Sequence, residues 1–287
     1  ANSLSFSFSN KYQNLSETMI KIIPVAGLAN RMRAIDSALA LSWETNQKLE
    51  IIWEMDQLMS CRFEDLFKPI KKVKITNSKR LPLIYRKADK RNLNLPHLLR
   101  TIKGYEYFSN ERSAAFANNK ATLEDLVRNK TSVISSYSRF YPNAHPFSAF
   151  EPIDRLQDQI SDQTKAFDEH TMGIHIRRSD NTKSIENSPL SLFEQAIREE
   201  LSQNPNASFY LASDCQETKQ ELREKFGNQI TTDMSPVNRN SREDIQRALV
   251  ELYVLSKTSK VFGSYWSSFS DTACHISGIQ NITIRKV

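Results

Sequence analysis

Short apolar runs separated by turns set the rhythm of this chain. Ile20, Ile22, Ile23 and Val25 predict a strand opening at Met19. Ala26-Gly27 marks a turn, and Leu28, Met32, Ile35, Leu39 and Trp43 then recur at spacings of three and four, which predicts a helix. Residues 49–53 predict the next strand, and a strand–helix–strand order implies a parallel sheet. Residues 68–130 are charged and irregular, with weak helical pieces and no predicted sheet, and 133–136 read as a short strand. Pro142, Pro146 and Pro152 mark 141–152 as a linker. Beyond it the rhythm returns, with strands at 171–176, 209–212, 261–262 and 282–284. Helices are expected at 189–201, up to Phe226-Gly227, from Ser241 to about 255, and at 267–276. Ser188 is the expected N-cap before Pro189, and Ser241 with Asp244 has the spacing of a capping box.

The class expected is α/β: a polar leader at 1–18, an N-terminal Rossmann-like domain at 19–150 and a C-terminal one at 151–287, facing a cleft. Ligands in such sheets bind beyond the carboxyl ends of the strands. With 39% hydrophobic and 25% charged residues, the 287-residue chain reads as globular. No run approaches the roughly 18 apolar residues of a membrane helix, and the start shows no signal peptide. Cys61, Cys215 and Cys274 are odd in number and widely spaced, which suits neither a disulfide framework nor a zinc site and implies a cytoplasmic setting. The net charge of +6 favours an anionic partner. Part of the excess lies in Lys68 to Arg100, which reads as a solvated face, an acidic-acceptor site or a membrane surface. No aromatic-interleaved motif points to nucleic acid.

Four segments at strand ends could carry chemistry. In Ala26–Arg33, Gly27 allows close approach, and Asn30 and Arg31 add donors at a helix start suited to phosphate. The plainer reading is an ordinary turn, and the segment lacks G-x-G-x-x-G. In His175-Ile176-Arg177-Arg178-Ser179-Asp180, two guanidinium forks suit a diphosphate, Asp180 can hold an arginine, and too few ligands cluster for a metal. Ser213 and Asp214, ending the next strand, read as a helix cap or as nucleotide contacts. Finally, Gly263 ends a strand, and Ser267 and Ser268 open a helix as an anion cradle or a serine-rich cap. Glu251 on the preceding helix is a surface carboxylate or a match for the N1–H and N2–H₂ donors of guanine.

In this order the segments resemble the fucosyltransferase superfamily, which includes bacterial α1,2- and α1,6-fucosyltransferases and protein O-fucosyltransferases. HIRRSD is similar to its H-x-R-R-x-D motif, YLASD to its LATD segment, 251–270 to its third motif, and AGLANR to its N-terminal turn. The resemblance implies a GT-B-like architecture, GDP-fucose as donor, inversion, no required metal, and a glycan or other hydroxyl acceptor. It implies that Arg177 contacts the β-phosphate with Arg178 in support, and that His175 and Glu251 lie near guanine. Ser267 and Ser268 would hold the pyrophosphate, and Asn30 would approach from the other domain. Ala29 stands where a glycine is usual, and Glu251 where some relatives have Asp. Asp36 and Glu54 are candidate general bases. A different GDP- or UDP-sugar donor, and a non-catalytic binder of anionic polymers, are the alternatives.

Overall fold

A computed structural model describes residues 18–179, 181–236 and 241–286. Most of the expected leader and Asp180 lie outside the described residues. The first half runs β1 (Met19–Pro24), α1 (Leu28–Thr45), β2 (Lys48–Glu54), β3 (Val73–Ser78), α2 (Leu95–Lys103), β4 (Tyr105–Phe108), α3 (Asn110–Ala114), α4 (Lys120–Arg128) and β5 (Thr131–Ser136). The second runs α5 (Asp154–Thr164), β6 (Thr171–Ile176), α6 (Thr182–Asn187), α7 (Leu190–Gln203), β7 (Ser208–Ser213), α8 (Gln216–Phe226), β8 (Ile230–Thr231), α9 (Arg242–Leu255), β9 (Lys260–Ser264), α10 (Ser268–Ser277) and β10 (Gln280–Ile284).

The strands form two five-stranded sheets, ordered β3-β2-β1-β5-β4 and β10-β9-β6-β7-β8, and every strand pair is parallel. The fold is therefore the expected GT-B-like α/β arrangement. In each sheet the order reverses beside the first strand of its half, at β1/β5 and β6/β9, and crevices form at such switch points. Two strands, β3 and β4, lie in the stretch read as lacking sheet. Both are edge strands with mostly half-exposed residues, so apolar alternation is weak in them. The capping box Ser241–Asp244 forms, with each side chain accepting from the other's backbone N–H. The expected cap at Ser188 does not. Pro189 occupies that position, and the Ser188 hydroxyl donates to the Ile284 carbonyl at 2.5 Å and accepts from Tyr265 N at 2.8 Å.

A large apolar cluster lies on one face of the first sheet and continues across the molecule. It joins Ile20, Met32 and Leu39 to Leu156 and Ile160 of α5 and to Leu249, Leu252 and Leu255 of α9. The outer face of the second sheet has its own cluster, including Ile174, Phe193, Phe209 and Leu222. The other face of the first sheet buries only Ile23, Ile52 and Val133 as an apolar cluster. On β1 and β2, Lys21 and Glu50 form a buried ion pair, and Glu50 also meets Lys74 at 2.9 Å and Thr76 Oγ1 at 2.8 Å. Burial pushes the Glu50 carboxyl up, but these partners outweigh it and hold it at about 2 against an ordinary 4.5. Because the folded value is the lower one, this stabilisation is present above pH 4.5 and is lost as pH falls through about 2. We expect Glu50→Gln to cost about 3 kcal/mol at neutral pH and to flatten the acid limb of stability in urea melts from pH 2 to 7.

Candidate active site

Gly27 caps α1 with extended backbone and no side-chain hydrogen bond, and the preceding Ala26 takes the left-handed turn at φ 69°. No atom lies within 4 Å of the position a Cβ on Gly27 would occupy, so the helix start opens onto free space. That space is a cavity of about 260 Å³ lined from both halves. Gly27 and Asn30 border it on one side, and His175, Arg177, Ser213, Asp214, Glu251 and Ser268 on the other.

Arg31 is not part of this lining and corrects the reading of it as a ligand donor. It is fully buried, and its guanidinium donates to the Ala26 carbonyl at 2.7 Å, the Glu54 carbonyl at 2.6 Å and Asp56 at 2.7 Å. It stacks over Trp53 at 5.0 Å and ties the ends of β1 and β2 together. Of the two adjacent arginines, only Arg177 lines the cavity. Arg178 does not, and its Nη2 is buried with no hydrogen-bond partner among the described residues. The expected pair of forks is therefore a single fork at the cavity. Neighbouring residues leaving a strand point to opposite sides.

Ser213 and Asp214 shape the loop after β6. The Ser213 hydroxyl donates to the Ile176 carbonyl at 2.8 Å. The Asp214 carboxylate accepts from Arg178 N at 2.6 Å and from the Ser179 hydroxyl at 2.8 Å. Arg177 N donates to the Ser264 hydroxyl at 3.0 Å, which joins the same loop to the end of β9. His175 stacks on Phe269 at 4.8 Å, with Nδ1 3.3 Å from the Ser267 hydroxyl. Ser267 is the N-cap of α10 and lines a neighbouring cavity, whereas Ser268 lines both. This helix start sits close because residue 263 is glycine: a Cβ there would come within 2.5 Å of the Ser270 hydroxyl oxygen.

Glu251, also on the cavity wall, is a paired carboxylate and not a solvent-facing surface one. Buried Lys219 donates to it at 2.9 Å and to the Asp233 carbonyl at 2.9 Å. Burial pushes the Glu251 carboxyl up and Lys219 pulls it back in part, leaving it above its ordinary range. Burial also raises the Asp233 carboxyl, but hydrogen bonds from Ser235 outweigh it and hold the group low. Arg247 pairs with Asp244 on the same wall. Sequence reasoning missed Lys219, Asp233 and Arg247. One signal was present: Asp244, Arg247 and Glu251 recur at spacings of three and four, and Glu251 is the one charged residue from Ala248 to Leu255.

The neighbouring cavity, about 550 Å³, shares Asn30, Arg177 and Ser268 with the first. Arg33, Trp266 and Asp271 also line it, and Asp271 is the one carboxylate among its described lining residues. Asp271 lies one turn along α10 from Ser268, and its Oδ1 is 3.5 Å from His275 Nδ1. The proposed bases Asp36 and Glu54 line neither cavity. Asp36 is buried and accepts from Asn143 at 2.8 Å and from Phe147 N at 2.7 Å, and Glu54 accepts from Leu81 N at 3.2 Å. Among the described residues no group of three His, Cys, Asp or Glu is placed to hold a metal ion, and no helix is long and apolar enough to cross a membrane.

No protein-family model and no curated protein matches the sequence. Solved structures do match the fold. Fucosyltransferase NodZ from Bradyrhizobium superposes with a TM-score of 0.60 at 14% identity, over 90% of this chain and 93% of that one. A mutant of Arabidopsis thaliana FUT1 in complex with GDP gives 0.58 at 15% identity, over 93% and 70%. POFUT1 in complex with GDP-fucose gives 0.54 at 12% identity, over 93% and 98%.

Proposed function

We propose that this chain is an inverting fucosyltransferase that moves fucose from GDP-fucose to a hydroxyl acceptor, as a member of the superfamily its motifs resemble. One observation carries the reading. A helix start, an arginine fork and a paired carboxylate, placed by residues far apart in sequence, border a single cavity of about 260 Å³ between the two sheets. That set matches the phosphates and the base of a guanosine diphosphate. NodZ and POFUT1 share the fold, and POFUT1 has been solved with GDP-fucose.

In this reading the guanine lies toward Glu251, which accepts from N1–H and N2–H₂ while Lys219 holds it. The diphosphate lies toward Arg177, Ser268 and the first turn of α10, with Gly27 and Asn30 closing from the other side. His175 and Phe269 pack between the two ends. The acceptor enters through the neighbouring cavity. Its hydroxyl oxygen forms a bond to the anomeric carbon as the bond from that carbon to the β-phosphate oxygen breaks. The hydroxyl proton passes to Asp271, and GDP departs with one more negative charge. Arg177 and the helix-start amides stabilise that charge as it develops, so this chemistry needs no metal. In-line attack requires the leaving oxygen and the base on opposite sides of the anomeric carbon. Ser268 borders both cavities and Asp271, one turn further along α10, borders only the acceptor one, so the carboxylate lies on the acceptor's side.

Calorimetric titration with GDP, GDP-fucose and UDP in the presence of a chelator tests the assignment. Binding of GDP and GDP-fucose without UDP is expected. UDP binding without GDP would move the reading to another donor, and no nucleotide binding would sink it. We expect Glu251→Gln to weaken GDP about 10- to 100-fold, the loss of a charge-assisted contact. Wild-type affinity should fall on acidification as the raised Glu251 carboxyl takes up a proton, while the Gln variant stays flat with pH.

A further inference from the structure

Helix α2 is mounted with its apolar stripe facing solvent. Leu95, Leu98, Leu99 and Ile102 recur at three, four and seven residues, the spacing of one helical face, and all four are exposed, Ile102 at 72%. The residues turned inward are Pro96 and Arg100. Arg100 is buried, donates to the carbonyls of Ile84 at 2.9 Å and Arg86 at 2.8 Å, and stacks over Tyr107 at 4.1 Å. Just before the helix, Leu93 takes a left-handed φ of 50° and is 79% exposed. That backbone region disfavours a leucine, and here it delivers the side chain to the outer surface beside the helix. Leu93 and the four stripe residues are half of the ten large hydrophobics exposed among the described residues.

The charge around this face is equally uneven. Residues 68–103 hold twelve Lys and Arg and a single acid, Asp89, a net +11 in a chain of net +6, so all other residues together carry −5. Lys90, Arg91 and Lys103, which bracket the helix, are exposed and make no ion pair among the described residues. An exposed leucine stripe ringed by unpaired cations matches an interface where apolar depth lies beneath anionic headgroups. A soluble polyanion would use the cations and leave the leucines in water. A second copy of the chain would bring like charge against like charge.

We propose that α2 and the loop before it are a membrane-docking face, which seats in the headgroup layer of an anionic bilayer and holds the cleft beside it. This stands apart from the assignment of the cleft, since none of its residues lines either cavity there. The test is co-sedimentation of the full chain with vesicles of phosphatidylcholine alone or with about one third phosphatidylglycerol. Wild type should partition to the anionic vesicles, less so as salt rises. The pair Leu98→Ser with Ile102→Ser should lower partitioning at least about tenfold, and so should Lys90→Glu with Arg91→Glu. Both should keep the wild-type melting temperature and nucleotide titration. Wild type remaining in the supernatant would overturn the proposal. So would unchanged partitioning of the serine pair, which would point to a soluble polyanion such as RNA. A wild-type dimer that the serine pair dissociates would assign the face to self-association.

Discussion

Arg177→Ala lowers the rate of GDP release from GDP-fucose about 10²- to 10³-fold, with no change in melting temperature. Arg177 borders both cavities, so it lies where the diphosphate and the anomeric centre would meet. Its charge counts most as the leaving group gains charge, so kcat should fall more than GDP-fucose affinity. The fold should tolerate the change because the backbone of residue 177 keeps its bond to Ser264 at 3.0 Å. Arg177→Lys restores charge without the planar fork and should recover only part of the loss. Arg178→Ala is expected to act differently, since that residue lines neither cavity. Stopped assays of GDP release by both variants, beside their thermal melts, check the contrast. Near-wild-type turnover in Arg177→Ala with intact donor binding would remove the fork from the mechanism.

Asp271→Ala slows attack by a neutral hydroxyl about 10²- to 10⁴-fold, the span for loss of a positioned general base. Azide gives a readout that needs no knowledge of the acceptor. It carries no proton to be removed, so it can attack the anomeric carbon as the phosphate oxygen departs, giving fucosyl azide and GDP. Millimolar azide should therefore restore GDP release in Asp271→Ala, with little effect on hydrolysis by wild type. Both proteins should bind GDP-fucose alike, because Asp271 does not line the nucleotide cavity. If hydrolysis is as fast in the variant as in wild type, Asp271 is a helix-start acid paired with its neighbours and nothing more. If neither protein binds GDP-fucose, the donor assignment fails instead, and the two failures are separable.

Periodicity in the sequence was enough to find β1, α1, β6 and α9, because their buried residues repeat without interruption. It failed at β3, β4 and α5. The first two are short edge strands, and α5 buries only Leu156 and Ile160, too few for a period to stand out. The candidate site was legible as a set of strand ends, since parallel sheets collect their loops at one edge. Side-chain direction was not. Arg31 and Arg177 look alike as letters beside a turn, yet one is consumed by the carbonyls of Ala26 and Glu54 and by Asp56. Those partners are set by tertiary structure. Lys219 was hidden for the same reason: it matters through Glu251, 32 positions away.

The apolar cluster shared by α1, α5 and α9 bears on how this molecule could be divided or recombined. Helix α9 carries Glu251 and contributes Leu249, Leu252 and Leu255 to a cluster that also takes in Met32 and Leu39 of α1. A fragment beginning after residue 150 would leave the second-half part of that cluster without its α1 neighbours and expose it to water. A chimera with a foreign first half would have to match the part of that cluster that α5 and α9 supply. New acceptor preferences are thus more readily reached by altering loops at the rim than by exchanging whole halves.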